Sequence, residues 1–328
     1  MKRPFSNLSP KTKRRLPLVY AFCLPFFICL IAFACMGAFP FGDRMILAHD
    51  GWHQYFPFLV SFREKLLSGG NLQYTWDVGM GMSYLSLYSY YLASPLYLLC
   101  VLVPKSLLSE FYMLLTMVKL SLASLFFAYF LRTLFRRNDW TLCAFSLMYA
   151  FCAWAAGYYW NIMWLDVFAL LPLLIAGTVS LLRDARFRLY VIALALSLWS
   201  NYYIAFFCCI FVALFFFAYC ICKWNGFLGF LRRIGRAAVG TILGVGMAAV
   251  LLVPTLYAMQ HTYSAIGSDP SWLALNIAEG ANGIGTAGQS TWEIIKVQTL
   301  PGVWNATRQV LTGLLDGTTA TKMSGLPN

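Results

Sequence analysis

Charge is what this chain has least of. Only 11% of its 328 residues are Asp, Glu, Lys or Arg, while 60% are hydrophobic, which excludes an ordinary soluble domain. Histidine is scarce as well: three copies are too few and too scattered for a haem or zinc centre, although His49 and His53 flank an acidic residue. The ten cysteines include no C-x-x-C pair and nearly all lie inside apolar runs, so they argue against a zinc site or a disulfide framework and behave as small hydrophobes. The net charge of +12 would suit nucleic acid, but the basic residues sit beside apolar runs rather than on one soluble face, so no nucleic-acid partner is expected.

What the chain has instead is length of apolar sequence. Leu16–Ala38, Leu108–Leu131, Thr141–Tyr158, Leu165–Leu182 and Ala237–Ala258 are each long enough to cross about 30 Å of hydrocarbon. The run Leu189–Cys222 would make a helix of roughly 50 Å, too long for one span. Its polar break at Ser200-Asn201-Tyr202-Tyr203 divides it into two short spans that meet at the outer surface.

The sparse charges then orient the spans. Sixteen of the 24 Lys and Arg residues lie before the first run or in short loops around Arg132, Arg183 and Arg233, whereas ten of the 12 acidic residues fall on the opposite loops. A charge in hydrocarbon costs roughly 2.5–3.5 kcal/mol on insertion scales, and basic loops face the cytoplasm. The run Tyr84–Val103 decides the parity: if it crossed, ten downstream basic residues would lie outside. Pro95 and Pro104 suit a broken, surface-bound or re-entrant helix, so it is read as not crossing.

The expectation is an all-α, polytopic α-helical protein of the cell membrane with about seven spans and a cytoplasmic N-terminus. A basic cytoplasmic segment covers 1–15 and a membrane domain 16–258, with a long outer loop from Phe39 to Leu107; an outer segment follows over 259–328. The first run is longer than a signal-peptide core, and Cys35-Met-Gly-Ala38 is a poor cleavage site, so the span is read as uncleaved. The last segment carries no span and stops at Gly325-Leu-Pro-Asn328 without a terminating structure, which reads as a fragment or a truncated chain.

Chemistry is sought on the outer face, where carboxylates and aromatics collect. Within His49-Asp50-Gly51-Trp52-His53-Gln54-Tyr55-Phe56-Pro57-Phe58, apolar positions from Trp52 repeat at helical spacing, as for a helix lying on the membrane surface. Asp50 precedes that helix and has two readings: an N-terminal cap, or a general base toward a hydroxyl. Trp76-Asp77-Val-Gly79-Met-Gly81 reads as a tight turn, and the aromatic clusters read as interfacial anchors that also suit stacking on sugar rings. Trp160-Asn161-Ile-Met-Trp164-Leu-Asp166 is a second cluster, with Asp166 at the mouth of a span, either snorkelling to water or facing a polar cleft. Lys119 lies about eleven residues into a span and must snorkel, pair or face a cavity; a carrier phosphate would be an apt partner.

Taken together, Asp50-x3-Gln54-Tyr55-x-Pro57-Phe58, Trp76…Gly79-x-Gly81, Tyr90-Tyr91-x2-Ser94-Pro95, Trp164-Leu-Asp166-x5-Pro172-Leu173 and Asn201-Tyr202-Tyr203 resemble the bacterial YfhO family over nearly the whole chain. The resemblance implies a GT-C-like helical core with surface helices in the first extracellular loop. It further implies a glycosyltransferase that moves a sugar from a polyprenyl-phosphate (undecaprenyl-phosphate) carrier to lipoteichoic or wall teichoic acid. On that basis Asp50 is the catalytic carboxylate and Asp166 a second site residue. Family members are usually much longer, with more spans, so part of the acceptor site would lie beyond this chain.

Lys119, Arg63 or Lys65 are candidates to stabilise the carrier phosphate. His53, Gln54, Tyr55, Trp76, Asp77, Asn201 and Tyr202 complete the expected substrate-binding set. A divalent cation (Mg or Mn) could take oxygen and nitrogen ligands from Asp50, Asp77 and His53, though no spacing demands one. The rival readings are a lipid-linked sugar transporter or flippase, and a non-enzymatic protein of envelope assembly.

Overall fold

Apolar runs bounded by charge become helices because hydrocarbon leaves the backbone no other way to satisfy its N–H and C=O groups. The computed structural model describes residues 10–260. The chain divides after Gln260 into two units, and the second, which holds all but the first two residues of the expected outer segment 259–328, lies outside the described residues, as does most of the basic segment 1–15.

The first helix, α1 (Pro10–Cys35), leads into the long loop. There a π-helical turn, Gly51–Tyr55, opens α2 (Phe56–Ser68), and a short antiparallel hairpin of β1 (Tyr74–Thr75) and β2 (Met82–Ser83) follows. The hairpin turns through Gly79 and Gly81, both at positive φ. A Cβ on Gly81 would sit 1.9 Å from the Tyr74 hydroxyl, so the expected tight turn is present and needs its glycine. Next come α3 (Tyr84–Leu87), a π-helical turn over Tyr88–Leu92 and a 3-10 helix over Pro95–Leu102.

The remaining helices are α4 (Leu108–Phe135), α5 (Thr141–Ala150), α6 (Ala153–Tyr158), α7 (Ile162–Asp184), α8 (Arg188–Ser200), α9 (Tyr202–Cys222) and α10 (Phe227–Gln260). Among the described residues six segments are long and apolar enough to cross a membrane: Arg15–Cys35, Lys105–Phe135, Thr141–Tyr158, Ile162–Asp184, Tyr202–Cys222 and Phe227–Met259. The seventh expected span is α8, whose 13 residues reach only about 20 Å. Tyr84–Leu102 does not form one straight helix but bends by 100° at Ala93-Ser94, where Pro95 restarts the chain.

Direction follows from contacts. Tyr112 meets Trp160, Lys119 meets Asp166 and Arg183 meets Thr133, so α4 and α7 run parallel with α5 and α6 returning between them. Arg15 and Arg132 line one cavity while Phe33 packs with Met113 and Met117, so α1 runs against α4. Hence Arg15, Arg132, Arg183, Lys223 and Arg233 gather at one end of the bundle, and Asp50, Glu64, Asp77 and Asp166 belong to the other.

Close packing holds the bundle. A Cβ on Gly177 would stand 2.6 Å from the Tyr190 Cα, so α7 and α8 touch backbone to backbone, the small-residue contact that helices use where lipid supplies no hydrophobic drive. Buried hydroxyls of Thr116, Ser121, Thr178 and Ser197 donate to carbonyls one turn back, avoiding the cost of unpaired polar groups. Phe206, Phe211, Phe217, Ile242, Val250 and Val253 stay exposed on α9 and α10, as a lipid-facing surface requires.

Candidate functional site

At the end away from the basic cluster, the first loop folds over the N-termini of α4 and α7 in layers. Lys119 lies deepest. Its side chain is 1% exposed and its Nζ donates to Asp166 Oδ2 at 2.6 Å and to the Ile162 carbonyl at 3.0 Å, with the Tyr97 ring 4.4 Å away. Asp166, 7% exposed, accepts a further bond from Ser94 Oγ at 2.8 Å through its other oxygen. A buried ion pair offsets its desolvation only with further hydrogen bonds, and here the Ile162 carbonyl and Ser94 supply them. The anion expected opposite Lys119 therefore comes from α7 rather than from a bound phosphate. Of the three alternatives open to Lys119 the structure shows pairing, and it buries Asp166 rather than leaving it open to water or a cleft.

Above this layer sits Asn161, the residue before α7. Its Oδ1 accepts the Tyr55 hydroxyl at 2.8 Å, while its Nδ2 and the Trp164 Nε1 are buried without a partner among the described residues. Tyr55 stacks on Trp160 with ring centroids 6.3 Å apart, and Tyr112 donates to the Trp160 carbonyl. The corner residue Asn201 is fully buried rather than at the surface, because the 84–92 segment covers it. Its Nδ2 donates to the Tyr90 carbonyl and its Oδ1 caps α9 by accepting from the Ile204 N–H. Tyr202 and Tyr203 pack their rings against Tyr90.

Asp50 forms the mouth. It is exposed, and as the residue before the helical turn it makes no side-chain capping bond, so the cap reading finds no support in the geometry. Burial first and the neighbouring Asp50 carboxylate second push the Tyr55 phenol above its ordinary range. That phenol has one proton and gives it to Asn161, so the bond of the Tyr55 hydroxyl is made to the amide beside the carboxylate. His49 packs on Trp160 at 5.0 Å, His53 is exposed beside it, and Gln54 accepts a long bond of 3.5 Å from Tyr91. Among the described residues no cation lies within ion-pair distance of Asp50.

The other expected site residues stand elsewhere. Asp77 accepts bonds from Ser61 and Thr75, which hold its carboxyl below the usual range, and Lys65 lies 3.7 Å away over the Tyr84 ring. Arg63 Nε donates to the carbonyls of Cys100 and Val103 and so ties down the end of the 3-10 helix. Arg63 and Lys65, like Lys119, thus have partners within the fold. Trp76, 75% exposed, stands on the same hairpin, beyond the last turns of α2. Ser61 is eleven residues along from Asp50, on the order of 15 Å, so Asp50 and Asp77 do not converge on one ion. No group of three His, Cys, Asp or Glu among the described residues could hold a metal, and a shared Asp50–Asp77 cation site is set aside.

Asn161, Ser94, Tyr97 and Tyr91 are the residues that sequence reasoning did not assign. Asn161, Ser94 and Tyr91 stand in the sequence motifs, and Asn161 and Ser94 each immediately precede a helix, which is the available signal. The family described as bacterial membrane protein YfhO has a model that matches residues 21–285 of the chain. No curated protein and no solved structure matches it.

Proposed function

Because the chain belongs to the YfhO family of bacterial membrane proteins, we propose that its aromatic mouth is the reaction site of a polyprenyl-phosphate-dependent glycosyltransferase acting on a cell-envelope glycopolymer. One observation carries the reading: Asp50 is an exposed carboxylate without a cap bond or a paired cation, seated beside Tyr55, Tyr91 and Trp160 at the end of a membrane bundle. A sugar on a lipid phosphate has its leaving group at the headgroup plane, which is where such a mouth lies.

Asp50 takes the proton of the acceptor hydroxyl as its oxygen attacks the anomeric carbon. The bond from that carbon to the phosphate oxygen breaks, and the carrier phosphate departs with the electron pair. The half-buried rings of Tyr91 and Trp160 offer faces for the sugar, and His49 and His53 are the basic side chains flanking the carboxylate. A transporter or flippase needs a polar path through the bundle. The sealed Lys119–Asp166 layer favours surface chemistry instead.

The test is sugar transfer from a synthetic polyprenyl-phosphate sugar by the full-length protein, compared with Asp50→Asn. Loss of a general base typically costs about 10²–10⁴ in rate, and wild-type transfer by the variant would remove Asp50 from the chemistry. Orientation is checked separately. Cysteines at Trp76 should react with an impermeant reagent added outside, and cysteines at Arg136 should not. Outside labelling at Arg136 would invert the proposed topology.

A further inference from the structure

A cavity of about 410 Å³ opens at the opposite, basic end, between the last turns of α7 and α9 and the first turns of α10. Its size falls within the range of roughly 300–1,000 Å³ usual for small-ligand sites. Arg183, Lys223, Arg232, Arg233 and Arg236 line it, together with Tyr219 and Asn225. Among the described residues the one carboxylate within ion-pair distance of these five cations is Asp184, 3.3 Å from Arg183 Nε. Orientation by positive charge explains basic loops at this end but not the convergence of five cations, from α7, α10 and the residue that follows α9, on one concavity.

The walls are built. Arg183 Nη1 donates to the Thr133 carbonyl at 3.0 Å, and Arg233 Nη1 to the Lys223 carbonyl at 2.7 Å, with its guanidinium 5.9 Å from the Tyr219 ring. Lys223, Arg232 and Arg236 supply charge that no described carboxylate neutralises. Gly229 belongs to the lining, where a Cβ would come within 2.4 Å of Asn225 Oδ1.

We propose that this cavity binds the phosphate head group of an anionic membrane lipid. Guanidinium and ammonium donors match phosphate oxygens in charge and geometry, and basic pockets between spans are where such head groups settle. The surrounding surface selects a lipid over a soluble anion: Phe217, Ile221, Trp224, Phe227, Leu228 and Leu231 are exposed on the same ends of α9 and α10, where acyl chains would lie. The proposal does not depend on the reaction assigned to the other end.

The experiment titrates the full chain, in non-ionic detergent, with phosphatidylglycerol, phosphatidylcholine and soluble glycerol phosphate, scored by native mass spectrometry. Phosphatidylglycerol should be retained preferentially, and less so as salt rises. R232Q/R236Q should weaken it about 30-fold, from ~1 kcal/mol per basic residue near an anionic lipid. R136Q/R137Q, exposed at the same end but outside the cavity, should leave it within about twofold. Gly229→Leu keeps every charge and fills the space, so it should abolish retention while the chain stays folded. Should it fail to fold, the two arginine pairs still decide. Equal losses in both pairs would mean a diffuse basic surface and overturn the site. Glycerol phosphate competing as well as the lipid, or no preference among the three, would overturn the lipid assignment.

Discussion

Asp50 and Asp166 belong to the same end of the bundle and live in opposite surroundings. Asp166 is buried, ion-paired to Lys119 and bonded to Ser94, with both carboxylate oxygens engaged. Asp50 is exposed, uncapped and without a paired cation, and its neighbour Tyr55 has already committed its proton to Asn161. Depth accounts for the difference. A carboxylate below the aromatic layer has to be neutralised by the chain, because an unpaired charge there would cost several kcal/mol. A carboxylate at the mouth is solvated and can stay available to a ligand. The charge that looks most unusual in the sequence, Lys119 in a span, is therefore the structural one.

The comparison breaks first on a pair of isosteric changes. Asp50→Asn should leave thermal stability near wild type and reduce transfer by about 10²–10⁴. Asp166→Asn should do the reverse to stability, stranding the Lys119 ammonium and destabilising the fold by about 3–5 kcal/mol. Parallel melting and transfer measurements separate them; equal melting points for the two variants would end the distinction.

Lys119→Met sharpens the buried half. Removing the ammonium leaves Asp166 charged under Tyr97, and a loss of about 3–5 kcal/mol is expected again. Combining Lys119→Met with Asp166→Leu should recover most of that loss, since replacing a buried pair with apolar groups is often neutral or better. A double variant as unstable as the singles would show that the pair matters for more than charge balance.

Much of the bundle was legible because hydrocarbon leaves few options. Long apolar runs between charges mark spans, and α4, α7, α9 and α10 lie where those runs fall. The break before Pro95 was legible too, since proline disfavours helix in the residue ahead of it. What local pattern does not carry is partnership across helices. Lys119 announces that it needs an anion, but Asp166 is 47 residues away and becomes the partner only because α4 and α7 run parallel. Arg63 and Asn201 follow the same rule: a polar residue on the outer face looks like a ligand until a distant backbone carbonyl, of Val103 or of Tyr90, turns out to hold it. For Asp50 the logic runs the other way, since a carboxylate before a helical turn reads as a cap and the turn declines to use it.

The finest test sits on the boundary between the two regions. Tyr55 is buried, stacks on Trp160 and gives its proton to Asn161, beside the carboxylate of Asp50. Tyr55→Phe keeps the ring and its stacking, and removes one donor. Asn161 would then lack a partner for Oδ1 as well as for Nδ2, which should cost about 1–3 kcal/mol as an unsatisfied buried group. If Tyr55 serves only that bond, melting falls by this modest amount and transfer by the folded fraction alone. If the phenol also orients Asp50, kcat should fall further at constant KM, because the base would lose its position while the sugar faces stay intact. A fall in kcat at unchanged melting would place Tyr55 with the open region; a fall in melting at unchanged kcat would place it with the sealed one.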